Sequence, residues 1–116
     1  MSEQPFDIHS YRYSPINVDR IEVLASTDYI SQALVDRLTD RLGMMFHDIW
    51  DESYYTVGLM VIPDQGDWGP ALRAVRHWDG SPGLDIEMFW VEGHPSTELI
   101  EHYREMVLAA LASLHT

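Results

Sequence analysis

The chain has no cysteine and no lysine among its 116 residues. The first absence excludes a disulfide scaffold, a thiol nucleophile and any cysteine-based zinc or iron–sulfur site, and it fits a reducing compartment. The second leaves arginine as the sole permanent cation, seven residues against nineteen carboxylates, for a formal net charge of −12. A chain so short of cations is a poor match for a nucleic-acid backbone or an anionic lipid surface, both of which need clustered positive charge. The acidity itself has two readings: compositional bias with solubility conferred by net charge, or an acidic surface that docks on a basic partner.

Other signals are missing too. Met1 to Phe6 shows neither a basic region nor an apolar run, so no signal peptide is expected. No apolar stretch is long enough to span a bilayer. The default expectation is a cytoplasmic protein. No glycine-rich phosphate loop, nucleophile elbow or supported Ser–His–Asp order is present. Asp64 and Asp67 lie in a glycine-containing loop, but their spacing lacks the Asp-x-Asp-x-Asp-Gly pattern of a calcium loop. His47, Asp48 and Asp51, and separately Glu98 with His102, have spacings found in metal sites, yet neither set supplies three or four convergent ligands. No metal, cofactor or catalytic residue is therefore assigned, and activity as an enzyme is left open, with non-enzymatic function preferred.

What is present points to one α+β domain over 1–116. Leu99, Tyr103, Met106, Val107, Ala110, Leu111 and Leu114 recur at three- and four-residue spacing, which predicts an amphipathic helix over Pro95 to Thr116 with Pro95 in its first turn. Ile30, Leu34, Leu38, Leu42, Met45 and Ile49 give a second helical stripe, capped by Ser26, Thr27 or Asp28 and extending to about Trp50. Gly43 interrupts it as a close-packing point, a bend or an end.

Four segments read as strands. Arg20 to Ala25 alternates, with Ile21, Val23 and Ala25 on one side. Tyr54 to Ile62 is almost wholly apolar and rich in β-formers, as expected of a central strand. Ala71–Trp78 and Leu84–Glu92 flank a turn at Asp79–Gly83. Residues 1–19 are expected to form an edge strand, at Asp7–Tyr13, or an arm. The expected architecture is an antiparallel sheet of three to five strands in the order β-α-β-β-β-α, with both helices on one face.

If the last two strands pair symmetrically about Ser81, Arg73 and His77 share a face with Asp85 and Glu87, a charge-complementary set. Arg76 falls on the apolar face instead. It then needs a carboxylate partner, a slipped register or a pocket to point into. Helix, three antiparallel strands and helix is also the order of the double-stranded-RNA-binding domain. That family needs a basic cluster at the start of its second helix, where this chain carries Glu98, Glu101 and His102, and the resemblance is rejected on charge.

Three functional readings follow. The leading one is a small acidic non-enzymatic protein that binds and modulates or inhibits a basic protein partner, as inhibitors, immunity proteins, antitoxins, phage-encoded blockers and chaperones do. Asp64, Asp67, Trp68 and Arg73 are its expected contact residues, with Trp68 as anchor. The second is a small-molecule-binding or enzymatic domain whose pocket, between sheet and helices, involves Arg76, His77, Trp78 and Trp90. The third is a structural subunit of a homo-oligomer or virion, and a homodimer is compatible with all three.

Overall fold

Period-two alternation of apolar side chains builds the sheet, and period-3.6 stripes build the helices that cover it. The computed structural model describes residues 20–47, 49–65, 69–77, 79–90 and 93–115. The elements are β1 (Ile21–Ser26), α1 (Gln32–Leu42), β2 (Met45–Phe46), β3 (Thr56–Val61), β4 (Ala71–Arg76), β5 (Leu84–Phe89) and α2 (Thr97–Ala112), the last followed by a 3₁₀ turn at Ser113–His115. One five-stranded antiparallel sheet runs in the order β1-β5-β4-β3-β2. The expected α+β class, the β-α-β-β-β-α order and the packing of the helices against the sheet are all present. The strand expected at Asp7–Tyr13 lies outside the described residues.

The main core lies between the helices and one sheet face. Leu34, Leu38 and Leu42 of α1 and Ile100, Tyr103, Val107 and Ala110 of α2 join Leu72 and Ala74 of β4 and Leu84, Ile86 and Met88 of β5 in one buried cluster. Leu99, Met106, Leu111 and Leu114 pack at its margin. The other sheet face is shielded as well: Leu59, Val75 and Phe89 are fully buried there. Burial on both faces explains why the β3 region reads as a nearly continuous apolar run instead of alternating. The middle strand of the sheet is β4, with β3 second from the edge.

Several boundaries differ from the sequence expectations. The first helix starts later, because Ser31 is its N-cap and accepts a hydrogen bond from the Leu34 N–H. Ser26 and Thr27 are used elsewhere, in pairing β1 to β5. The same helix ends at Leu42, not near Trp50. Gly43 adopts φ +81° and its N–H closes the last turn. Met45, expected on the helical stripe, instead forms the short edge strand β2 with Phe46. The Phe46 ring lies over Gly58, where a Cβ atom would approach it to 2.8 Å. The second helix is capped by Ser96, so Pro95 precedes the cap instead of entering the first turn.

A bulge between Val23 and Ala25 breaks the alternation of β1. Leu24 is thereby buried, while Val23 is exposed. The β4–β5 pairing is centred on Gly80 instead of Ser81: Arg73 faces Glu87 and Arg76 faces Leu84. That offset is even along the strand, so every side chain keeps its expected face.

Candidate functional site

At the sheet end where β1 and β4 finish and β3 and β5 begin, two loops face each other across a cleft of about 650 Å³. One wall is residues 49–55, contributing Ile49, Trp50, Glu52, Ser53 and Tyr55; the other is the 80–83 turn. Ile30, Arg76 and His77 complete the lining.

Both walls are built on the same local device. In the first, the Ser53 N–H and hydroxyl both donate to Asp51 Oδ1, at 3.0 and 2.5 Å. In the second, the Ser81 N–H and hydroxyl donate to Asp79 Oδ1, at 3.0 and 2.6 Å. These Asp-x-Ser turns satisfy backbone donors locally and fix each loop's shape. The Ser81 bonds hold the Asp79 carboxyl below its ordinary pKa.

Arg76 ties the first wall down. Its Nε donates to the Tyr54 carbonyl at 3.0 Å, and its Nη2 donates to the carbonyls of Ile49 and Asp51. The misfit arginine is therefore accommodated not by a carboxylate but by the backbone of the loop it anchors. A rigid guanidinium fork matches several carbonyls at once.

His77 ties the second wall to β1. Its Nε2 lies 2.7 Å from the Thr27 carbonyl oxygen and its Nδ1 lies 3.2 Å from Asp85 Oδ1. The Thr27 carbonyl is the main cause of a raised His77 pKa; burial opposes it, and Asp85 and Asp79 add to the rise. Ser26 also donates to Asp85 Oδ1, at 2.6 Å. The Thr27 hydroxyl accepts from the Leu84 N–H at 3.0 Å and donates to the Tyr29 carbonyl.

Beneath this end, on the sheet face away from the helices, Arg73 Nε donates to Glu87 Oε1 at 2.8 Å, and the Arg73 guanidinium lies 5.5 Å from the centre of the Phe89 ring. Burial raises the Glu87 pKa, with Arg73 pulling it back. Burial also raises the hydroxyl pKa of Tyr55.

Of the residues expected to contact a partner, the two described ones, Asp64 and Arg73, do not line this cleft. Arg73 is buried in its pair with Glu87 and is not a surface residue. Asp64 is exposed, but it sits at the opposite end of the sheet, where β3 finishes. Asp67 and Trp68 lie outside the described residues. Of the pocket set, Arg76 and His77 line the cleft, Trp78 lies outside the described residues, and Trp90 is buried in the core against the His94 ring. The layer between sheet and helices is filled by core side chains, and the cleft is at the sheet end instead. Sequence reasoning missed Trp50, Glu52 and Ser53. The repeated Asp-x-Ser at 51–53 and 79–81 was the available signal for two turned loops.

Among the described residues, no group of three or more His, Asp or Glu side chains is arranged to hold a metal ion. No described helix is long and apolar enough to cross a membrane. Compared with known proteins, the chain matches no family model, no curated protein and no solved structure, so the functional reading rests on this geometry.

Proposed function

We propose that the protein is a non-enzymatic binding module that engages a basic protein partner through the cleft at the end of its sheet. The observation that carries this reading is Trp50, which lines the cleft and is 62 % exposed. Tryptophan is among the residues most enriched at binding hot spots. Here it stands on a loop already held by Arg76 and by the Asp51 turn, so little ordering entropy remains to be lost on binding. The net charge of −12 favours a basic partner and steers its approach. His77 supports a binding role over acid–base chemistry: both ring nitrogens already face acceptors, which leaves neither free to accept a proton from a substrate. Modulation or inhibition of the partner would follow from occupancy of its basic surface.

A small-molecule site in the same cleft is the second reading. Its volume falls in the range of ligand pockets. Such pockets enclose most of their ligand, however, whereas Trp50 projects into solvent.

The absence of lysine gives the test. Amine coupling attaches the chain to a resin through its α-amine in one orientation. Lysate of the source organism or its host is passed over wild-type and Trp50→Ala resins. A basic protein released by salt from the first and not retained by the second supports the reading. Retention indifferent to both salt and Trp50 overturns it.

A further inference from the structure

The cleft's own chemistry narrows what it takes. Its two nitrogen-rich side chains are turned inward: Arg76 toward the carbonyls of Ile49, Asp51 and Tyr54, and His77 toward the Thr27 carbonyl and Asp85. Glu52, by contrast, is an exposed carboxylate on the lining, and no hydrogen bond or ion pair engages it among the described residues. Close to it in the chain stands the exposed indole of Trp50. An aromatic face with a carboxylate on the same loop, in a chain of strongly negative net charge, is the arrangement that attracts a cation by its ring quadrupole and by simple Coulomb attraction. Ile30 and Ile49 add apolar surface for an aliphatic stem.

We propose that the cleft seats a basic side chain of the partner, arginine in preference to lysine, with its cation on the Trp50 indole and Glu52 as counter-charge. A guanidinium is preferred because it stacks flat on an aromatic ring and sheds water more readily than an ammonium. This rests on the partner-binding reading above and names the chemistry by which that site recognises its target.

The probe is a short synthetic arginine-rich peptide, set against the same peptide with every arginine replaced by citrulline, which keeps the shape and removes the charge. Binding is followed through the indole N–H resonance of Trp50, assigned by its disappearance in Trp50→Phe. The arginine peptide should shift this resonance saturably and the citrulline peptide should not. Trp50→Leu, at an exposed position where folding is readily confirmed by circular dichroism, has no indole probe, so its affinity is measured against wild type by titration calorimetry and should be weaker by roughly fivefold or more. Glu52→Gln should weaken it less, and the Glu52 contribution should vanish at high salt. Equal binding of the citrulline peptide overturns the inference. So does undiminished binding of the arginine peptide by Trp50→Leu, which would mean diffuse condensation on an acidic surface. Failure here separates from failure of the broader reading. A captured partner that depends on Trp50, with no arginine-peptide binding there, leaves the module reading standing and removes only the basic side chain. Loss of Trp50 dependence in both experiments removes both.

Discussion

The His77 imidazole and the Thr27 carbonyl, fifty residues apart in the chain, meet at 2.7 Å and join the β4–β5 turn to the end of β1. With Asp85 at 3.2 Å on the other ring nitrogen, full satisfaction of both contacts requires the doubly protonated ring. The folded protein therefore holds this proton more tightly than the unfolded chain, consistent with the raised pKa. The resulting stabilisation is fully present below the unfolded value and fades as pH rises through the folded one. The melting temperature should fall as pH rises above the ordinary histidine value of about 6.5. His77→Gln should flatten that part of the profile. A wild-type curve that is level or rising through this range, or an unchanged slope in the variant, would sink the assignment.

Gly83 lies beneath the same contact. Its φ is +113°, and a Cβ there would come within 2.0 Å of the Thr27 carbonyl oxygen and 2.7 Å of His77 Nε2. Backbone cannot yield as a flexible side chain does, so Gly83→Ala should cost at least about 2 kcal/mol in urea denaturation. Gly80 also has positive φ, +81°, but a Cβ added there would meet nothing within 4 Å. Gly80→Ala should lose only about 1 kcal/mol. Equal losses would mean that the close approach at Gly83 is not a constraint.

The buried pair Arg73–Glu87 is the strongest case for non-additivity. Each side chain is 9 % exposed, and removal of one strands the other's charge in a desolvated site. Arg73→Met and Glu87→Leu should each destabilise by about 3–5 kcal/mol. The double variant should recover most of that loss, because two apolar groups replace two desolvated charges. Additive losses in the double-mutant cycle would show that the two groups are not coupled.

These relationships explain how far the sequence could be read. Helix α2 was legible because no glycine or proline interrupts its stripe. The Arg73–Glu87 face was legible because the true pairing is centred one residue from the expected one, an offset that moves partners without exchanging faces. Helix α1 was overrun for an identifiable reason. Met45 and Ile49 continue its spacing by coincidence, while Gly43 takes a left-handed conformation that stops it. That overrun placed Trp50 on a helix and hid the cleft. The partner of Arg76 was not legible either, since backbone carbonyls carry no residue type and any loop can present them.

Arg76 supplies the prediction that joins fold to function. Its fork reaches three carbonyls of the loop that carries Trp50 and Glu52. Lysine keeps the charge but has neither the fork nor the reach to serve all three. Hydrogen bonds from a charged donor contribute more than neutral ones, so Arg76→Lys should lose about 1–3 kcal/mol of local stability. Hydrogen exchange should quicken at Tyr54, whose N–H bonds to the Asp51 carbonyl, and leave β4 and β5 amides protected. Binding of the arginine-rich peptide should weaken in the same variant even though Trp50 and Glu52 are intact, because the cleft then has to be ordered on binding. Faster exchange with unchanged binding would mean that the loop's rigidity does not serve the site. Unchanged exchange would mean that Arg76 is not what holds the loop.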